Sequence, residues 1–278
     1  MDIGMLTAPL AEWPLERVAA FAQKHGFQAL EVVSGPGSKH VDSAALNPEK
    51  AGEIKLLLER DGLRISSLAF YSNLLDPDAG ARERLSTEMR GVIDAAVLLG
   101  VDVVCTLAGM PMPGKDRRQT IEEDFPPVFG PLAEYAGEKS RKLAFENYFA
   151  TNIRGLQDWE QVFEVVPAAN LGLNFDPSHL LWQGIDYLEA VDRFKERIFH
   201  THAKDVEIRQ HELRWVGNQS GGWWRYCTPG YGDINWPVYI ARLRRAGYDG
   251  VLSIENEDGV FGVEEGFVKG QRYLAGLV

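Results

Sequence analysis

The chain has 278 residues, with 29 basic and 40 acidic side chains, a formal net charge of −11, 45% hydrophobic and 25% charged residues. That mixture excludes a disordered or fibrous chain, and the acidic balance argues against a nucleic-acid partner, because phosphate backbones are bound through clustered Lys and Arg. No run approaches the ~20 apolar residues of a membrane span, and Met1–Thr7 lacks the basic start of a secretory leader. Two cysteines cannot build a disulfide framework, and Cys105 sits in an apolar run, so a buried reduced thiol is expected. The chain therefore reads as a soluble cytoplasmic protein without a membrane partner, and Asn218-Gln-Ser220 as a chance glycosylation match.

Taken in order, short apolar runs predict strands at Ile3–Leu6, Gln28–Val33, Arg64–Phe70, Val101–Leu107, Lys142–Asn147, Leu171–Asp176, Arg197–Ala203 and Val251–Asn256. They are apolar on both faces, as parallel strands buried between layers are. Helical spacing predicts Leu15–His25, Pro48–Asp61, Asp78–Leu99, Gln119–Arg141, Ile153–Val166, Ile185–Phe194, Trp236–Ala246 and Val263–Leu277 between and after them. Several of these helices stop at Gly or Asn just before the next strand.

Eight strand–helix units predict an α/β fold, a single (β/α)8 TIM barrel over residues 1–278. A doubly wound open sheet is the competing arrangement. No Gly-x-Gly-x-x-Gly follows the first strand, and Gly35-Pro-Gly37 after the second reads as a turn, so no nucleotide cofactor is expected. The seventh unit is longer than the sixth: 54 positions separate Arg197 from Val251, against 26 from Leu171 to Arg197. A Trp-rich insertion of about 206–235 is expected to form a lid over the C-terminal face of the barrel, where active-site loops sit.

The last four strands all end in residues that bind metals or move protons. They read Phe145-Glu146-Asn147, Phe175-Asp176-Pro-Ser-His179, His200-Thr-His202-Ala-Lys204-Asp205 and Ile254-Glu255-Asn256. One such Glu could simply pair with a neighbouring Lys, and His200 could be a hydrogen-bonded core histidine. Four successive strands ending this way suit an oxygen-rich site with one imidazole, appropriate to one divalent ion of the Mn, Co, Mg or Zn type. His200 and His202 share one strand face, and only the outer one need reach an ion at the mouth.

Phe-Glu146-Asn, Asn-Phe-Asp176-Pro-Ser-His179, His202-Ala-Lys-Asp205 and Ser-Ile-Glu255-Asn together resemble the xylose isomerase-like TIM barrels. The likeness is to the sugar phosphate isomerase/epimerase group that includes ketose 3-epimerases and inosose dehydratases and isomerases. It runs over essentially the whole chain. It implies that Glu146, Asp176, His202 and Glu255 hold the metal, Mn foremost, that Glu146 and Glu255 are the acid/base pair, and that His179 contacts substrate oxygens. The expected partner is a small sugar or polyol, and homo-oligomers occur in the group.

The epimerases of the group carry an Arg six residues after the metal-binding His, where this chain has Ile208; Arg209 or Arg225 is a possible replacement. Lys204, Arg225, Trp223 and Trp224 are expected to meet the substrate, with Asp205 orienting Lys204 or a metal-bound water; the tryptophans could instead pack the loop on the barrel. The expected function is a divalent-metal-dependent sugar or polyol isomerase/epimerase. The alternative is a dehydratase or lyase acting on a keto-inositol or keto-glycoside. A non-catalytic sugar-binding protein and an endonuclease IV-like nuclease are weaker readings; the strands ending at Phe70 and Leu107 supply no extra His ligands for the nuclease.

Overall fold

The computed structural model describes residues Met1–Val278. Eight parallel strands close on themselves: β1 (Asp2–Leu6), β2 (Ala29–Gly35), β3 (Arg64–Phe70), β4 (Val103–Leu107), β5 (Lys142–Glu146), β6 (Leu171–Phe175), β7 (Ile198–Ala203) and β8 (Val251–Ile254). Closure is made where β1 pairs with β8 on one side, Asp2 opposite Val251, and with β2 on the other, Gly4 opposite Ala29. This is the (β/α)8 barrel expected from the alternating pattern; an open sheet would have left two edges.

The helices are α1 (Leu15–Lys24), α2 (Pro48–Arg60), α3 (Ala79–Leu99), α4 (Arg117–Glu123), α5 (Phe125–Glu138), α6 (Leu156–Val165), α7 (Pro177–Leu181), α8 (Tyr187–Phe194), α9 (Gln210–Val216), α10 (Trp236–Arg245) and α11 (Val263–Ala275). The single helix expected over Gln119–Arg141 is two, α4 and α5, meeting at Asp124. Pro126 and Pro127 explain the break: neither can donate a backbone hydrogen bond to the preceding turn, so they fit only at the start of a new helix.

The core lies between strands and helices, in one cluster of 59 buried apolar residues. Phe125 and Phe129 from α5 pack on Phe145 of β5, while Trp159 of α6 packs on Phe175 of β6. Gly172 in β6 is required by close approach, since a Cβ there would lie 2.3 Å from the Arg197 carbonyl oxygen. Two register shifts interrupt the ladders, one just before Glu31 in β2 and one just before Asn174 in β6. Such irregularities re-aim the side chains that follow, and Glu31 and Asn174 both reach the histidines of β7. No helix is long and apolar enough to cross a membrane.

After β7 the chain leaves the barrel as Asp205–Ile208, which pairs antiparallel with Trp224–Cys227, so that Tyr226 stands opposite Val206. This two-stranded ribbon, with α9 at its far end, occupies the stretch in which the long insertion was expected.

Candidate active site

Glu146 ends β5, His202 lies in β7, and Asp176 and Glu255 come one residue after β6 and β8. Each offers one ligand-type atom, and the four atoms lie within 4.8 Å of one another. Asp176 is locked by its surroundings: its backbone N–H donates to Asn147 Oδ1 at 2.7 Å, and its carbonyl accepts from Asn147 Nδ2 at 2.9 Å. Its Oδ1 caps α7 by accepting from the Ser178 N–H at 2.8 Å. Asp176 Oδ2 and His202 Nδ1 are buried and make no well-formed hydrogen bond; their close charged neighbours are Lys204 Nζ at 3.2 Å and Glu255 Oε2 at 3.0 Å respectively.

Buried polar atoms are nearly always paired. Two buried ligand-type atoms held only by ion-pair contacts, in one cluster of oxygen ligands, suit a cation site, so the donor set fits a divalent ion. One imidazole and three carboxylates suit an ion at the hard-to-borderline end of the scale.

Behind the imidazole lies Glu31, completely buried in β2. Its Oε2 is 3.1 Å from His202 Nε2 and accepts from Ser253 Oγ at 2.8 Å, while Oε1 accepts from the Tyr71 hydroxyl. Burial would raise this carboxyl, but His202 and His200 outweigh it and hold it at about 2. Burial opposes a charge on His202 as well, yet Glu31 and Glu255 drive its pKa well above the usual imidazole range. His200, the inner histidine, bonds Asn174 Oδ1 through Nδ1 at 2.9 Å and faces Ser66 Oγ through Nε2 at 3.0 Å. It is a satisfied barrel histidine, pushed down to about 4 chiefly by burial.

Lys204 is buried among the same carboxylates. Its Nζ is 2.6 Å from Glu255, 3.2 Å from Asp176, and 3.7 Å from both Glu146 and Glu257. Burial disfavours its charge, but these neighbours prevail and its pKa lies well above the normal lysine value. His179 sits on α7 with Nε2 3.2 Å from both Glu146 Oε1 and Lys204 Nζ. Its Nδ1 is 2.5 Å from the hydroxyl of Tyr226, which the ribbon brings over the site. Lys204 also lies over the Tyr226 ring, 4.6 Å from its centroid.

Trp224 stacks on Trp182, centroids 4.4 Å apart and planes at 11°, and tilts against Tyr226 at 4.9 Å. Trp223 is buried, its Nε1 donating to the Ser220 carbonyl at 2.7 Å. Arg225 is engaged by Glu207 at 2.6 Å and Asp258 at 2.9 Å, tying the ribbon to the loop after β8. Arg209 is a partly exposed residue whose nearest acid is Glu207 at 3.6 Å.

Asp205 corrects an expectation: it makes no contact that would orient Lys204. Its carboxylate accepts from the backbone N–H groups of Val206, Gly230, Gly232 and Ile234 and from Trp236 Nε1. It anchors the loop that returns the ribbon to α10. Gly232 permits this approach, because a Cβ there would lie 2.4 Å from Asp205 Oδ1.

Glu31, Tyr71 and Glu257 carried no sequence signal strong enough to single them out. Glu31 was hidden in the apolar run of β2; a lone charged residue inside a buried strand was the available clue. Glu257 lies two residues beyond Glu255 in the loop after β8, and Tyr226 was legible only as one of several aromatics in the insertion.

Residues 19–277 match the sequence model of the xylose isomerase-like TIM barrel family, and the chain belongs to that family. Among its relatives, it is 29% identical over 304 residues to the uncharacterized protein YfiH of Bacillus subtilis (strain 168), covering 96% of each chain. It is 23% identical over 274 residues to the inosose dehydratase of Clostridium perfringens (strain 13 / Type A), covering 92% of this chain and 90% of that one. The fold is shared with 3-keto-D-glucoside 4-epimerase, YcjR, of E. coli, with a TM-score of 0.77, 14% identity and 99% of each chain covered.

Proposed function

We propose that this protein is a divalent-metal-dependent sugar or polyol isomerase/epimerase, with Glu146, Asp176, His202 and Glu255 holding the ion, Mn foremost and Co, Mg or Zn as alternatives. The observation that carries the reading is the convergence of these four buried or nearly buried ligand atoms within 4.8 Å of one another. Bound there, the ion would polarise a substrate carbonyl and so acidify the neighbouring C–H.

The chain's own residues supply the rest. Glu146 and Glu255 come from strands on different sides of the mouth, and one removes a carbon-bound proton while the other returns one. Return to the same carbon from the opposite face is epimerisation; return to the adjacent carbon is isomerisation. His179 and Lys204, 3.2 Å apart, hold substrate oxygens, and the Tyr226 hydroxyl orients His179 from its Nδ1 side. The ribbon and loop of residues 206–235 act as a lid that carries Tyr226 and the tryptophans.

A second reading is favoured by the same trio. If His179 or Lys204 protonates a departing hydroxyl while one glutamate takes the C–H proton, the product is an enone and the enzyme a dehydratase. The inosose dehydratase relative supports that version.

The test is NMR of the Mn-reconstituted, chelator-exchanged protein's reaction products in D2O, with a panel of ketoses, keto-inositols and keto-glycosides. Deuterium at the carbon beside the carbonyl, absent with Glu255→Gln, is the expected result, and the product distinguishes epimer, isomer and enone. No exchange by protein that binds metal stoichiometrically would leave a sugar-binding role; failure to bind any divalent ion would overturn the ligand assignment.

A further inference from the structure

A cleft of about 740 Å³ opens at the C-terminal end of the barrel, lined by residues from the connections after β4, β5, β6 and β7. Its walls include Phe149, Trp182 and Trp223, and its rim carries two arginines, Arg117 and Arg154. Arg117 donates through Nε to the Thr151 carbonyl at 2.9 Å and through Nη2 to that of Phe149 at 3.5 Å. These bonds turn the guanidinium along the loop after β5 and leave Nη1 uncommitted. The Arg154 side chain makes no hydrogen bond or ion pair, and it lines the same cleft as Arg117. Asp158 is in turn engaged as the cap of α6, accepting from the Gly155 N–H at 2.9 Å.

Two guanidinium groups on the rim of one aromatic-walled cleft give it a local positive charge in a chain of net charge −11. Guanidinium donors match carboxylate and phosphate oxygens in bidentate geometry. The cleft also adjoins the site already described. The Phe149 ring is 6.0 Å from that of His179, and Trp182 is stacked on Trp224, which touches Tyr226.

We infer that this cleft is a subsite for an oxyanion, carboxylate or phosphate, carried by the substrate away from its reacting carbon. The aromatic wall receives the connecting portion, and Arg117 and Arg154 receive the charge. The inference rests on the proposed sugar or polyol chemistry for its meaning as a substrate subsite, while the anion site itself can be tested without turnover.

The experiment titrates inorganic phosphate, and separately gluconate, into the Mg²⁺-loaded protein and follows the arginine ¹⁵Nε resonances. Arg154→Gln serves as the variant because the side chain has no partner inside the fold. Saturable shifts of Arg117 and Arg154, with affinity about tenfold weaker in the variant, are expected from the loss of one charge-assisted contact. The better-bound probe identifies a phosphoryl or a carboxyl group. A phosphate- or carboxylate-bearing keto-sugar that exchanges its C–H should show a raised KM in Arg154→Gln with little change in kcat, and a neutral one no change.

Absence of saturable shifts for both probes, or equal affinity in the variant, would overturn the subsite. Anion binding at the arginines without C–H exchange on any panel member would leave the subsite and remove the catalytic reading. Exchange on neutral substrates without anion binding would do the reverse.

Discussion

Glu31 on β2 and His202 on β7 face each other across the barrel interior, Oε2 to Nε2 at 3.1 Å. An Nε2–H that donates to this carboxylate presents Nδ1 toward Glu146, Asp176 and Glu255. Partners of this kind set the tautomer and basicity of a ligating histidine. Glu31→Gln keeps the volume but removes the charge, and Mn²⁺ affinity should fall about 10–100-fold, measured by the free-ion EPR signal during titration. Unchanged affinity would mean that Glu31 only fills the barrel.

Lys204 compensates four carboxylates at once. Lys204→Met should destabilise the metal-free protein by about 3–5 kcal/mol, the cost of leaving buried charge without its partner. A divalent ion replaces that compensation, so the increase in Tm on adding Mn²⁺ should be larger in the variant than in the parent. Equal increases would show that lysine and metal do not act on the same carboxylates.

Asp205 holds five N–H donors, three of them from the loop that closes the insertion and one from Trp236 at the start of α10. Asp205→Ala leaves them without an acceptor in a buried place, and a loss above about 3 kcal/mol is expected in urea unfolding. Because the ribbon carries Trp223 and Trp224, their fluorescence should shift to longer wavelength at denaturant concentrations below the main transition. A single unchanged transition would contradict the anchoring role.

His40, between β2 and α2, lies 2.9 Å from Thr7 Oγ1 through Nδ1 and donates through Nε2 to the Trp13 carbonyl at 3.1 Å. Burial is the main cause of its lowered pKa, partly offset by backbone contacts with Trp13 and Leu10. The folded state therefore prefers the neutral ring. Its stabilisation is complete above the unfolded value near 6.5 and is lost as pH falls from there through the lower folded pKa. The urea midpoint should drop between pH 7.5 and 5.5, and drop less in His40→Gln. His200 and His25 are shifted the same way, so the difference between the two proteins isolates the His40 share.

The barrel was legible because its cause is local and repeated. Buried parallel strands must be apolar on both faces, crossover helices must be amphipathic, and glycines stop them where the chain turns back. The break at Asp124 was legible too, in Pro126 and Pro127, but the apolar spacing continued across it and masked the punctuation. Glu146, Asp176, His202 and Glu255 stood out because each interrupts or follows an apolar run at a strand end, and the closed barrel brings those ends together.

What the residues alone determined was this repeating architecture and the chemical type of the mouth: carboxylates and an imidazole at successive strand ends. Only the tertiary structure decided the pairings between distant strands. It set Glu31 behind His202, 171 positions away, placed Lys204 among four acids, bent the ribbon so that Tyr226 reaches His179, and engaged Arg225 with Glu207 and Asp258 and Asp205 with the returning loop. The reason is physical: composition and periodicity report which face of an element is buried. The partner of a buried polar group is chosen by barrel closure, by the two register shifts before Glu31 and Asn174, and by the requirement that each desolvated charge find its complement.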